Sequence, residues 1–548
     1  MPQTRREALS TTSRLLLYRP KYKRRRTYPM AILVMKFGGT SVGNANAVRQ
    51  VLEITQKETQ KWDNVVVVTS AIGGITNSLV KLVEHAAKHD FNGPYGVKHQ
   101  LDALRVRHQQ AAQEFMNVHD HADELDKVDV HIDTLLEELF GTCEEIAAAG
   151  GADSRLNDAA MSMGERLMVG ILAAIMRVNG IPAQPVDASK VIVTDRRFQN
   201  AQPDFAPSRA NAKKIIGPLL EQKQVPIVTG YIGATPEGQI TTLGRGGSEY
   251  SATYLGSLID ANDVWIWTDV NGVMSADPRK IKEAKVIDMI SYQEVSEFAH
   301  FGAKVLHPRC VEPLMGPHIP LRVCNTFNPD HPGTRINSAS AGKPKHLSAV
   351  TSIDGLLVFA PSNAVPSTPG LPSMTDLASQ VLEKVLLQAA PPVITVNAHA
   401  GHLLCYVIPT TARRTANQES LAALQEAFAE AYPNGEWRVE PIAIVAAIGV
   451  VDVQQTMQVL TAVKSVRANL LALGHGSPAC CLLALPPDQA PRVVKRLHSL
   501  AVSVQANLPY AENDPAAPAA IPAIPNNRRR KNTRPNKRGN PPHRVIPL

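Results

Sequence analysis

Cysteine is sparse and falls in no pattern. Six residues in 548 (Cys143, Cys310, Cys324, Cys405, Cys480 and Cys481) form no Cys-x-x-Cys pair and no regular spacing. That excludes a disulfide framework and a zinc scaffold, and fits a reduced, cytoplasmic protein with small core thiols. Long apolar runs are missing too: none reaches the ~18 residues of a membrane span. The segment Arg14 to Tyr18 is too short for the core of a secretory signal. Acid is nearly absent from both ends. Residues 1–30 carry nine Arg/Lys against Glu7 alone, and residues 515–548 carry eight with no acid. Each end contributes +8, so a chain total of +8 leaves residues 31–514 at −8. The basic balance therefore belongs to the ends, and nucleic-acid contact is expected at most non-specifically through them. His119, Asp120, His121 and Asp123 have metal-ligand chemistry, but two histidines at i and i+2 of a helix face different ways. A solvated helix surface is expected there, and no metal site.

What is present begins with Ile32-Leu33-Val34-Met35-Lys36-Phe37-Gly38-Gly39-Thr40-Ser41-Val42-Gly43. A short apolar run of buried-strand type ends in a lysine and two glycines, then a helix-forming stretch from Ala45 to Glu53. Glycines at a strand-to-helix turn let backbone N–H groups approach an anion, aided by the helix N-terminus. Lys36 stands where a point charge reaches a phosphate. The spacing is neither that of the Gly-x-x-x-x-Gly-Lys-Ser/Thr loop nor that of the Gly-x-Gly-x-x-Gly dinucleotide turn.

Further on, Val65–Ser70 predicts a second buried strand before Gly73-Gly74, and residues 78–149 read as polar helices. A helix is predicted over Met161–Asn179, with strands at 185–186 and 225–229. The turn Gly244-Arg245-Gly246-Gly247-Ser248 runs into another helix, and the strand Val264–Val270 carries Asp269 near its C-terminal end. Strand and helix in alternation predict a parallel sheet with crossover helices, with ligands at the strand C-termini. Residues 346–510 repeat strand and helix in two β-α-β-β-α-β-like stretches of about 75 residues, a ferredoxin-like pattern. The expected domains are a basic extension (1–29), a catalytic domain (30–337), a linker (338–345), two ferredoxin-like domains (346–440 and 441–510) and a Pro/Arg/Asn-rich tail (511–548). The extension weakly resembles a transit peptide; a true start at Met30 is the preferred reading. The tail is expected to be disordered.

Lys36-Phe37-Gly38-Gly39-Thr40-Ser41-Val42 resembles the opening motif of the aspartate kinases, in the amino acid kinase superfamily, and the resemblance extends over residues 31 to about 337. It implies a three-layer α/β/α sandwich with a mainly parallel sheet, followed by ferredoxin-like (ACT-like) α+β domains. It also implies ATP-dependent phosphorylation of the side-chain carboxylate of L-aspartate, the first step toward lysine, threonine and methionine, with ATP and Mg²⁺ as cofactors. By the same resemblance, Lys36 and Glu249 are catalytic. Lys36, Phe37, Gly38, Gly39, Thr268, Asp269, Met274, Arg279, Lys304 and Val305 bind ATP. Thr76, Glu165, Arg245, Gly246, Gly247 and Ser248 bind aspartate. Glu249 stands where the family usually has aspartate, and Met274 where an aromatic ring is common. Glycines usual at the ACT effector turn are mostly missing, and Pro361, Pro366, Pro369 and Pro372 occupy the first such turn. A lysine or threonine effector and a homo-oligomer formed through the ACT-like domains are implied, with no membrane partner.

The residues themselves agree with this chemistry. A carboxylate of pKa ~4 is already ionised at neutral pH, so no general base is needed. The difficulty is bringing an anion to a polyanion, which calls for lysines, backbone N–H groups and a cation. An arginine fork suits a carboxylate, and a glutamate suits an ammonium. The rival readings are a kinase for glutamate or acetylglutamate, and a catalytically dead effector sensor. The first is opposed by Glu165 and Arg245, which suit a free α-amino acid. The second is opposed by the presence of Lys36, Glu165, Arg245 and Asp269 together.

Overall fold

The computed structural model describes residues 30–117, 119–303, 306–338, 347–361, 373–386, 389–398, 401–409, 415–433, 436–450 and 452–505. The first part of the chain runs β1 (Ile32–Phe37), α1 (Ala45–Thr59), β2 (Asn64–Thr69), α2 (Ile75–Ala87), α3 (Val97–Gln113), α4 (Ala122–Ala148), α5 (Ser154–Val178) and β3 (Ala183–Val186). It continues through α6 (Phe205–Glu221), β4 (Val225–Thr229), β5 (Ile232–Ala234), β6 (Ile240–Thr242), α7 (Gly247–Leu258), β7 (Asp263–Thr268), β8 (Met289–Ser291), α8 (Tyr292–His300), α9 (Glu312–Met315), β9 (Leu321–Asn325) and β10 (Thr334–Asn337). Eight of these strands form one sheet in the order β3-β4-β2-β1-β7-β9-β10-β8, parallel except where β9 meets β10.

Central strands buried on both faces read as unbroken apolar runs, and Val65 to Val68 on β2 is such a run. Alternation divides β1 between two cores. Leu33, Met35 and Phe37 pack with apolar residues of α1–α5, whereas Val34, Val66 and Val68 pack with those of α6 and α7. These are the three layers of the expected sandwich. Lys36 shares the face of Val34 and therefore points toward α7.

Helix α5 is long and apolar enough to cross a membrane, but it is buried almost throughout against the sheet. His119 and Asp120 sit in the exposed turn joining α3 to α4, not on one continuous helix as expected, and Asp123 is exposed in the first turn of α4.

The second part runs β11 (Ala349–Pro361), α10 (Met374–Leu386), β12 (Ile394–Ala398), β13 (Gly401–Val407), α11 (Ala416–Ala431), β14 (Arg438–Ile448), α12 (Val453–Ser465), β15 (Ala472–Ser477), β16 (Cys480–Leu485) and α13 (Ala490–Gln505). Its six strands form one antiparallel sheet, β12-β13-β11-β14-β16-β15. The C-terminal half of β11, α10, β12, β13, α11 and β14 make one ferredoxin-like unit. The second unit uses β14, α12, β15, β16 and α13. Its remaining strand position is filled by the N-terminal half of β11, which pairs Ala349–Gly355 with Ile442–Ile448. The expected division between 440 and 441 thus falls inside β14, a strand that both units use. One face of this sheet is covered by α10–α13, and the other packs on Val295, Phe298 and Phe301 at α8.

Candidate active site

Lys36, next to last in β1, has only 4% of its surface exposed, although an ammonium is costly to bury without a partner. The partner is Glu249 in the first turn of α7, whose Oε1 lies 2.5 Å from Lys36 Nζ. The α7 dipole also favours an acid there. Burial works to raise the Glu249 carboxyl, but the Lys36 ammonium outweighs it and holds the group below its usual range. The acid one methylene longer than the family's aspartate reaches the lysine directly.

On α5, Gly164 allows close packing: a Cβ there would lie 2.7 Å from that of Ala71. The neighbouring Glu165 is thereby set against the backbone of Ala71, buried and within the field of Lys36. Burial pushes its carboxyl up to about 7, with the Ala71 backbone and the Lys36 charge working the other way. Lys36, Glu165 and Glu249 are thus brought together, at the C-terminal ends of β1 and β2 where open α/β sheets hold ligands.

The turn carrying Arg245 is shaped by two left-handed glycines, Gly244 (φ 74°) and Gly246 (φ 69°). Gly246 caps α7, and a Cβ on it would lie 2.7 Å from that of His307. Arg245 itself is exposed, and no described residue accepts a hydrogen bond from its guanidinium. His307 feels both Arg245 and Glu249. Burial first, then Arg309 and Arg245, hold its imidazole below the usual value against the opposing Glu249 charge. Ser248 is buried in the first turn of α7. Thr76 is exposed in the first turn of α2, just after Gly74 (φ 89°).

A hydrogen bond from Gly38 N–H to the Trp267 carbonyl (3.3 Å) ties the Gly-Gly turn to the end of β7. Beyond it, Thr268, Asp269, Met274 and Arg279 line one cavity of about 740 Å³. Arg279 is exposed and forked on Asp277, with Nε and Nη2 contacts of 3.0 and 2.8 Å. The Phe37 side chain is wholly buried and stacked on Trp267, so only its backbone lies at the turn. Lys304 and Val305 lie outside the described residues, although Gly302 and Ala303 line the same cavity. The proline-rich turn of the first ferredoxin-like unit, between Pro361 and Pro372, is likewise largely outside them.

Two contributors escaped the sequence reading. Val350–Ser352 of β11 and Val494 of α13 form a wall of the cavity, which no local motif announces. Ser275, next to Met274, is held by His498 of α13 at 2.9 Å and by the Val350 N–H at 2.9 Å. Among the described residues no three His, Cys, Asp or Glu converge as a metal cage. The arrangement offers a buried cation at a glycine turn, a buried acid, an exposed guanidinium and an adjoining cavity. It suits transfer of a charged group to a zwitterionic acceptor.

A family model described as the amino acid kinase family matches residues 31–325. The chain is 32% identical over 385 residues to a bifunctional aspartokinase/homoserine dehydrogenase of Daucus carota, covering 69% of this chain and 40% of that protein. It is 32% identical over 307 residues to an aspartokinase of Chlamydia muridarum, covering 56% and 63% respectively. It thus spans about half the length of the curated relatives it matches. Among solved structures, Escherichia coli aspartokinase III with aspartate and ADP is 28% identical (TM-score 0.66; 86% of this chain, all of that one). The same enzyme with lysine and aspartate is 30% identical (TM-score 0.68; 85% and 99%). With its Lys36 turn, its three-layer sandwich and more than half its length matched by the family model, the chain belongs to the amino acid kinase family.

Proposed function

We propose that this protein transfers the γ-phosphoryl group of ATP to the side-chain carboxylate of L-aspartate, giving 4-phospho-L-aspartate. The observation that carries the reading is the buried Lys36, within the field of Glu165 and paired with Glu249, which stands in the first turn of α7 just after the exposed Arg245. Arg245 takes the α-carboxylate as a charge-assisted fork, and Glu165 takes the α-ammonium. With both ends held, the side-chain carboxylate is the free nucleophile. Lys36 and the N–H groups of Gly38 and Gly39 stabilise the charge spreading over the transferred phosphoryl oxygens. Thr268, Asp269, Met274 and Arg279 hold the nucleotide in the adjoining cavity. The E. coli relative solved with aspartate and ADP supports both ligands.

Magnesium fits this donor set. The ion takes one or two carboxylates plus phosphate oxygens and keeps several waters, and Asp269 is an exposed carboxylate at the end of β7. Asp269 would hold it. When bound, the ion neutralises phosphate charge. The C-terminal units also invite an amino acid effector, lysine or threonine, and the lysine complex of E. coli aspartokinase III supports lysine. Oligomerisation through these units is part of the same proposal.

The test is an acyl-phosphate assay with hydroxylamine trapping, using ATP, Mg²⁺ and a panel of aspartate, glutamate and N-acetylglutamate. Aspartate should be strongly preferred. Equal rates with glutamate or N-acetylglutamate would contradict the substrate assignment.

A further inference from the structure

Asp158 lies wholly buried on α5, seven residues before Glu165, and makes no ion pair with a described residue. Its carboxylate accepts from Gln199 N–H (2.8 Å), Thr242 N–H (2.8 Å) and the Thr242 hydroxyl (2.7 Å). Thr242 is the last residue of β6, just before Leu243 and the Arg245 turn. Burying a charged carboxylate to serve three neutral donors is an expensive way to anchor a strand, since a neutral acceptor would serve. What the charge adds is strength and a fixed direction in each bond.

The opposite side of the turn is held by Arg309. Its Nη1 donates to Asn200 Oδ1 (2.6 Å) and the Leu243 carbonyl (3.2 Å), and its guanidinium lies 4.7 Å from the centre of the Tyr250 ring. The 199–200 segment that both grips share presses on Gly244, where a Cβ would lie 2.9 Å from the Gln199 carbonyl oxygen. Two grips from different elements thus meet on one turn.

Helix geometry gives the arrangement a purpose. Residues seven apart lie on one face of a helix, two turns or roughly 10 Å apart. The same rigid α5 therefore carries Glu165 and, through Asp158, the end of the strand that leads into the Arg245 turn. We propose that Asp158 and Arg309 are positioning residues that fix the Arg245 turn relative to Glu165, and so set the length of amino acid accepted. This rests on the reading of that turn as the aspartate site.

The test uses the full chain, with kcat and KM for aspartate, glutamate and ATP in Asp158→Asn, Arg309→Met and Arg309→Lys, beside Arg245→Ala. Hydrogen exchange is followed across residues 240–250. KM for aspartate should rise at least fivefold in Asp158→Asn and Arg309→Met, while KM for ATP stays within twofold. The preference for aspartate over glutamate should shrink, exchange at Thr242–Gly247 should quicken, and Arg309→Lys should recover part of the loss. Should Asp158→Asn fail to fold, Arg309→Met decides by itself. If Arg245→Ala weakens aspartate binding and the positioning variants do not, the inference is wrong and the substrate turn stands. If Arg245→Ala leaves aspartate binding unchanged, the substrate turn itself is misread and the inference falls with it.

Discussion

Replacing Glu165 by Gln separates two effects of one buried carboxylate. In the folded protein burial raises its pKa from 4.5 to about 7. The folded state therefore holds this proton more tightly than the unfolded chain does. The stability linked to the group is fully present below about pH 4.5, declines as pH rises, and is lost above about pH 7. The gap corresponds to about 3 kcal/mol. Glutamine keeps the shape and still accepts from the Ala71 backbone, without the charge. Glu165→Gln should therefore melt roughly a few degrees above wild type at pH 8 and close to it at pH 5. The same variant should lose aspartate affinity at pH 8, because the α-ammonium loses its counter-charge. In wild type, KM for aspartate should rise as pH falls through about 7, as Glu165 becomes protonated. Thermal melts and initial rates at both pH values measure all of this. A Glu165→Gln protein that is less stable at pH 8, or that binds aspartate normally, would refute the reasoning.

Three further outcomes follow from the same geometry. Lys36→Met should lower kcat by about 10³-fold or more; a folded variant within a few-fold of wild type would remove Lys36 from the chemistry. His498→Ala should raise KM for ATP by roughly fivefold through loss of a buried bond to Ser275, with KM for aspartate little changed. A matching rise in both constants would place its effect elsewhere. Titrating lysine and threonine against initial rate should reveal inhibition by at least one, and flat responses to both would leave the C-terminal units a structural role.

The half that the family model matches was legible because its signals are local. A lysine closing an apolar strand before two glycines, and Gly-Gly-Ser opening a helix, define backbone geometry within a few residues, and β1 and α7 formed there. The pairing of Lys36 with Glu249 was less legible. It follows from strand alternation, which aims Lys36 at α7, but which helix covers that face is a matter of topology. Asp158 and Arg309 left no signal at all. A buried aspartate bonded to a distant strand looks, in sequence, like any polar residue on a helix. The C-terminal region hid more. Helix α11 was not foreseen, and the interlocking of two units through β11 depends on pairing between strands about ninety residues apart. Nor could the wall that β11 and α13 give the cavity beside Met274 and Arg279 be inferred from local pattern.

The central claim is that Arg245 and Glu165 hold the α-groups so that the side-chain carboxylate receives the phosphoryl group. Borohydride reduction of the acyl phosphate formed from ATP and aspartate tests it directly, because reduction turns the phosphorylated carboxyl into an alcohol. The account predicts homoserine as the reduced product, whereas 3-amino-4-hydroxybutanoate, or no reduced product, would contradict it.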